Sequence, residues 1–477
     1  MRERFKKIPS SWMWTGALYT ALLLYVAIAT SNQRGFIFDD PFIFFRYARN
    51  LASGHGWVYN VGQSGADAAT SPLFVVILAI AYKLGFGLIA MSRLSFIAGL
   101  AACACLTHAT LARLGHWWAG AVSALLLASS PWLFITRGME TTLFLGVLSL
   151  CVYLWVIGSG YGLGMALATL VLVRPDGIVF VVLIVGATWI VDRHCPSRAL
   201  VAGGVIAGLW AVYAYLTIGR FLPNTLSAKV AQGRSGLFGS GPIFVKGLWQ
   251  VPQAYRFGTV EAMVAVLGIA GLAIAWWRKE LRLTLGVVAA SVFVVTAIYA
   301  VLNVPFYPWY YAPLAYLLAL SAGIAIEEIG TRMMAVNVGW VAVPATLTVF
   351  LVLIGLRSTP AGPPRPGYME AAAWIDHHTA QTSTIAASEI GILGWQTNHP
   401  MDDYLGLLTA NAVPPMEHDD MTWWVNGLRP DYWMTTVVPN PIDIQVLESP
   451  WFNSVFRKVY RNSTVIVYKR IGLAPNS

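Results

Sequence analysis

The sequence predicts a mainly α, polytopic membrane bundle of about eleven transmembrane helices followed by a C-terminal soluble α/β domain. Three observations predict it. Hydrophobic residues fill 57% of the 477 positions and charged residues only 11%, where soluble domains carry roughly a quarter. The apolar residues gather into runs of spanning length separated by short basic loops. From residue 358 onward those runs stop, and segments with helix and strand periodicity take their place. The net charge of +9 is scattered among the loops rather than gathered in a patch. It reads as orientation charge, with no nucleic-acid partner implied.

The first span, Trp12 to Thr30, follows Arg2, Arg4, Lys6 and Lys7 and lacks an A-x-A cleavage pattern, so it reads as an anchor rather than a removed signal. Further spans are expected at Leu94–Leu111, Trp117–Ile135, Leu143–Ile157, Gly162–Val173, Ile178–Val191, Val201–Ile218, Val260–Trp277, Leu283–Leu302, Pro308–Ile326 and Val338–Leu356. The run Pro72–Tyr82 is too short to span. It is expected to be re-entrant or juxtamembrane inside a first outer loop that runs from Ser31 to about Arg93. With a cytoplasmic amino terminus, Arg113, the Asp192–Arg198 loop, Arg278–Arg282 and Arg332 then all lie inside. Outside fall Arg137–Thr142, Arg174–Asp176, Gly219 to about Thr259, Asn303–Tyr307 and the tail. The division is therefore 1–357, a membrane unit, and 358–477, an extracytoplasmic α/β unit. A Pro- and Gly-rich linker, Pro360 to Gly367, opens the second. Within it, Tyr368–His378 reads as a helix, Thr384–Ile392 and Tyr432–Val438 as strands, and Arg457–Tyr460 with Thr464–Lys469 as a hairpin. The four cysteines, Cys103, Cys105, Cys151 and Cys195, have no metal-ligand spacing.

Chemistry is expected in the first outer loop. Asp40 before Pro41 has the arrangement of a helix N-cap, with the helix running to about Ala52 and stopping near Gly54. Asp39 has no such local task, which makes it the stronger general base. Arg46 and Arg49 share a helix face and could hold a departing phosphate or a lipid headgroup. His55 could bond a sugar or phosphate, or stand exposed. Arg137 and Glu140 come to the same side, either in the site or as a plain pair. Arg174-Pro-Asp-Gly177 reads as a turn. Asn224 and Lys229 are candidates for phosphate contact, the lysine as a point charge. Tyr307, Trp309 and Tyr310 could line a groove for a sugar or isoprenoid, although interfaces collect such residues in any case. If a divalent cation takes part, Asp40 is the candidate to hold it.

The stretch Phe38–Asn60 followed by Thr70-Ser-Pro-Leu73 resembles the first outward loop of GT-C class glycosyltransferases, especially mycobacterial terminal and pilin-type arabinofuranosyltransferases. Arg137-Gly-Met-Glu140, Arg174-Pro-Asp-Gly177, Pro223-Asn-Thr225 with Ala228-Lys229, and Ile390–Trp395 with Asp402–Gly406 resemble further elements of that group. The resemblance implies an inverting transferase in a bacterial plasma membrane. It implies a polyprenyl-phosphate sugar donor, a glycan or protein acceptor, Asp39 in or near the base role, and an outward domain that helps hold the acceptor. This chain departs from the group in having Gln63 and Ala68-Ala69-Thr70, which leaves sugar and acceptor identity open. Arabinofuranose is the first expectation and mannose or another hexose the alternative. A lipid-linked-sugar transporter is a reading of another class, but its sites lie at mid-membrane, whereas these ionisable residues gather at loop ends.

Overall fold

The computed structural model describes residues 12–31, 38–63, 68–219, 224–335, 345–346, 348–350, 352–353 and 366–474. The amino-terminal basic stretch, most of the run Val338–Leu356, the boundary at 357 and 358, and the linker up to Arg365 fall outside these residues.

The spans expected from apolar runs coincide with helices. They are α1 (Trp12–Ser31), α4 (Leu88–Arg113), α5 (Trp117–Ala128) continued by the short α6 (Pro131–Phe134), α7 (Thr141–Val156), α8 (Gly160–Val173), α9 (Gly177–Asp192), α10 (Ser197–Thr217), α13 (Gly258–Trp277), α14 (Lys279–Val301) and α15 (Ala312–Ala335). Between them lie α2 (Pro41–Ala52), α3 (Pro72–Lys83), α11 (Thr225–Arg234) and α12 (Ile243–Ala254). Among the described residues, seven helical stretches are long and apolar enough to cross a membrane, and α3, α7, α8 and α9 are shorter apolar helices. The protein is a multi-pass membrane protein. Small residues bring spans close: a side chain at Gly99 would meet the backbone of Thr142 and Leu143, and one at Gly146 the carbonyl of Gly99.

The loops divide between two ends of the bundle. At one end His116 meets Glu327 at 2.6 Å and Glu280 at 3.4 Å, while Glu328 binds Arg278 at 2.7 Å and Arg332 at 2.8 Å. These groups sit at or beside the loops that the charge rule places together inside. At the other end, α2, the 137–142 and 174–177 loops, α11 and the 303–311 segment gather beside the C-terminal unit, which carries a sheet. The short α3 packs beside α2 there.

That sheet has five strands: β1 (Ile385–Ala387), β2 (Met401–Asp403), β3 (Tyr432–Thr436), β4 (Phe456–Arg461) and β5 (Val465–Arg470), in the order β2-β1-β3-β5-β4. β2, β1 and β3 are parallel, and β5 pairs antiparallel to both β3 and β4. The helix expected at Tyr368–His378 is α16 (Pro366–His378), and β4–β5 form the expected hairpin. The strand expected over Thr384–Ile392 ends at Ala387. Gly391–Gln396 instead forms a helix, α17, that packs on α2, and tertiary contact there overrides the local apolar pattern.

Those contacts are polar and buried. The Arg46 guanidinium donates to the carbonyls of Tyr59 (2.8 Å), Gly394 (2.9 Å) and His399 (2.8 Å) and to Asn60 Oδ1 (3.1 Å). Asn60 also accepts from the Met401 N–H and donates to its carbonyl, both at 2.9 Å, and so satisfies edge strand β2. A side chain at Gly391 or Gly394 would overlap Asp39 or Tyr59, so glycine one turn apart is what lets α17 approach. Arg46→Met should strand the buried Gly394 and His399 carbonyls, the Tyr59 carbonyl keeping its bond from Asn50, and destabilise the protein by at least about 2 kcal/mol, with Arg46→Lys no better because a point charge cannot reach four acceptors. Denaturation in detergent measures this, and a loss below about 1 kcal/mol would be the value expected of an ordinary surface contact.

Candidate functional site: a charged cavity at the loop-rich end

The four-carbon stem of Lys229 on α11 and the loop ends of α7 and α9 reach one cavity of ≈ 330 Å³. Its polar lining is Asp40, Thr70, Glu140, Arg174, Asp176, Thr225 and Lys229. Ile178, Val179, Val295, Ile298 and Leu302, from the apolar helices α9 and α14 and the end of α14, form an apolar wall, and Tyr299, Trp309 and Tyr310 supply aromatic faces. The size falls within the range of small-molecule sites, and a mostly apolar wall with convergent charges is the usual character of one.

Arg174 holds the acids of one side. It donates from Nε and Nη2 to the two oxygens of Asp176 at 3.1 and 2.9 Å and approaches Glu140 at 3.5 Å. The Tyr299 hydroxyl donates to the same Asp176 at 3.0 Å. Glu140 therefore pairs with Arg174, and the sequence expectation of a plain Arg137–Glu140 pair gives way to this triad. Burial pushes the Glu140 carboxyl up to about 7, against the lowering effect of Arg174. Across the cavity, Lys229 Nζ lies 3.9 Å from the centre of the Tyr307 ring, which stacks on Trp309. Burial pulls the Lys229 ammonium down, but Tyr307, Tyr310 and Asp40 outweigh it and hold it above its ordinary value.

The two adjacent aspartates part company. Asp39 is buried, accepting the N–H groups of Gly391 and Ile392 (2.6 Å to the latter) at the start of α17. Its carboxyl is pushed up to about 7, first by burial and then by the charge of Glu389, with the two N–H groups opposing. The expectation that Asp39 has no local task is corrected: it holds the start of α17 in the C-terminal unit, and it does not line the cavity. Asp40 does line it. Its expected capping role is also corrected, because its backbone is already helical and its side chain makes no cap bond to α2.

Arg46 and Arg49 likewise lie outside the cavity lining. Arg46 is committed to four acceptors, and Arg49 donates to the Trp395 carbonyl at 3.1 Å and sits over the Trp395 ring. His55 is exposed and, like Arg137 and Asn224, lies outside the cavity lining; the latter two are buried. Of the expected aromatics, Trp309 and Tyr310 line the cavity, while Tyr307 lies behind Trp309 and beneath Lys229. Among the described residues, no group of three or more His, Cys, Asp or Glu side chains is placed to hold a metal ion.

A family model described as a domain of unknown function (DUF8728) matches residues 362–470. No curated protein sequence matches the chain. Among solved structures it is similar to ArnT from Cupriavidus metallidurans bound to undecaprenyl phosphate, with a TM-score of 0.59 over 98% of this chain and 100% of that one, at 15% identity. It is also similar to the Archaeoglobus fulgidus oligosaccharyltransferase tethered to an acceptor peptide, at TM-score 0.58 over 98% and 74% of the two chains and 12% identity. The chain has the GT-C fold.

Within this GT-C fold, sequence reasoning missed Arg174, Asp176 and Tyr299 as cavity residues. Arg174-Pro-Asp-Gly177 was legible as an acid and a base at the ends of two spans, and the signal lay in their position at the loop-rich face rather than in their spacing. Tyr299 sits inside an apolar run, where nothing in the sequence separates it from interfacial aromatics.

Glu140 makes a pH prediction. Its carboxyl binds a proton more tightly in the fold, at about 7, than at its ordinary value of 4.5. Its contribution is therefore full below the ordinary value and is lost as pH rises through the folded one. Glu140→Gln removes that loss, so the difference in Tm between variant and wild type should grow in the variant's favour from pH 5 to pH 8. A pH-independent difference in paired thermal scans would count against the shift.

Proposed function

We propose that this protein is a membrane glycosyltransferase that moves a sugar from a polyprenyl-phosphate donor to a hydroxyl of a glycan or protein acceptor, with Asp40 as general base. The observation that carries the reading is a single cavity in which the acid Asp40 shares space with Lys229 and Arg174 beside an apolar wall contributed by the bundle helices α9 and α14. The ArnT structure, with undecaprenyl phosphate bound, supports a lipid-phosphate ligand for the fold.

In this reading the isoprenoid lies along Ile178, Val179, Val295, Ile298 and Leu302, and its phosphate meets Lys229 and Arg174. The acceptor oxygen attacks the anomeric carbon while Asp40 takes its proton, and the bond from that carbon to the phosphate oxygen breaks with its electrons passing to the phosphate. Lys229 and the Arg174 guanidinium stabilise the charge that develops on the leaving phosphate, and burial strengthens both effects. One displacement with base and leaving group on opposite faces inverts the anomeric configuration. Asp39, expected to be the base, instead fixes the backbone from which Asp40 projects.

The chain divides at residue 357 into a catalytic membrane unit and a C-terminal α/β unit, and the loop-rich end faces outward from a bacterial plasma membrane, as the positive-inside distribution supports. Arabinofuranose is the first sugar to test, on the resemblance of the first loop. Ala68, one of the positions where that loop departs from its group, lines the cavity beside Thr70, so the sugar pocket differs in its own wall.

Asp40→Asn should lower turnover at least about 100-fold while leaving polyprenyl-phosphate binding within about twofold. Lys229→Met should weaken that binding at least about tenfold. Mass spectrometry of products, with release of free polyprenyl phosphate, reads the first, and a lipid-binding titration reads the second. Near-normal turnover of Asp40→Asn rejects the base assignment, and sugar movement across vesicles without phosphate release would point to transport.

A further inference from the structure

Leu407 is the cavity-lining residue contributed by the C-terminal unit, and its position is set by a carboxylate that the transfer step does not use. Asp403, the last residue of β2, is fully buried. Its two oxygens accept the N–H groups of Leu405 (2.8 Å) and Leu408 (2.7 Å), and the Leu407 N–H is also turned toward it. A carboxylate that collects several consecutive N–H groups closes the chain into a tight turn.

That turn grips the helix carrying Lys229. Gly406 has φ +87°, a conformation side chains disfavour, and a Cβ there would come within 3.1 Å of Ala228. The Gln232 side chain donates to the Leu405 carbonyl at 3.2 Å. Ala228 and Gln232 flank Lys229 on α11. One buried acid therefore fixes both a wall of the cavity and the seat of its cation.

With the isoprenoid on the span side and the phosphate on Lys229 and Arg174, a water-borne acceptor must approach past the wall that comes from the C-terminal unit. We propose that the Asp403–Leu408 turn is the acceptor-side wall of the cavity, with Asp403 a positioning residue and Leu407 the side chain that sets the size of the acceptor alcohol. This rests on the transfer reading above.

The test uses full-length wild type, Leu407→Ala, Leu407→Phe and Asp403→Asn. The donor is polyprenyl-phosphate arabinofuranose, and the acceptors are glycerol, a methyl pentofuranoside and a trisaccharide. Leu407 is half-buried, so its variants should fold even if Asp403→Asn does not. Leu407→Phe should lower kcat/KM for the trisaccharide at least about fivefold more than for glycerol, and Leu407→Ala should shift the ratio the opposite way. Asp403→Asn should raise acceptor KM at least about fivefold, while the Kd for polyprenyl phosphate stays within about twofold in the two Leu407 variants. A merely structural turn would change kcat equally for every acceptor, and that outcome, or a change confined to polyprenyl-phosphate binding, overturns the proposal. Wild-type turnover with a flat size profile in the Leu407 variants defeats this inference alone. Absence of wild-type turnover with every acceptor, with polyprenyl-phosphate mannose as well as arabinofuranose as donor, defeats the transfer reading and this one with it.

Discussion

Asp39 and Arg46, seven residues apart around the start and middle of α2, join the membrane bundle to the C-terminal sheet. Arg46 places a full guanidinium out of water, which is costly unless its donors are met. Three carbonyls and the Asn60 amide meet them. Asp39 does the reverse at the start of α17, offering its oxygens to two N–H groups. Cation to carbonyls and anion to amides make a joint with direction as well as strength, and so orient the sheet relative to α2. Everything at the cavity that comes from the sheet or from the first loop inherits its position from that joint.

The joint also explains why two neighbouring acids have different surroundings. Fixing Asp39 toward α17 leaves Asp40, one peptide on, directed to the cavity wall. The cavity has its own division of charge. Arg174 is neutralised by Asp176 and Glu140, and Lys229 stands over an aromatic ring. An arginine already bracketed by acids is held rigidly, and a lysine on an aromatic face keeps its charge with the help of the ring and of Asp40. Both arrangements suit a site that must receive an anion from a lipid and release it.

Much of the fold was legible because a bilayer imposes a strong constraint: spans must be long and apolar, and loop charge sorts by side. Ten of the apolar runs lie within or along the helices described above, and the short run at Pro72 became α3 beside α2. The site was legible in its neighbourhood but not in its long-range contacts. The block from Phe38 to Asn60 announced itself through charge where charge is expensive, but Asp39, Arg46 and Arg49 answer to partners more than 340 residues away. No local pattern reports a carbonyl at Gly394 or His399. Gly391 and Gly394 held the clue, since two glycines one turn apart leave room for another backbone. Arg174 and Asp176 were discounted because Arg-Pro-Asp-Gly also spells a turn, and only the packing of α9 against α14 turns that corner into a cavity wall.

The most direct measurement is an experimental structure of the full chain with polyprenyl phosphate bound. The phosphate should lie in the cavity against Lys229 and Arg174 with Asp40 facing the anomeric position, while Arg46 and Arg49 keep their bonds to the C-terminal carbonyls. A phosphate seated on Arg46 or Arg49, with the α2–α17 joint opened to admit it, would contradict the assignment of these arginines to architecture and of Asp40 to chemistry.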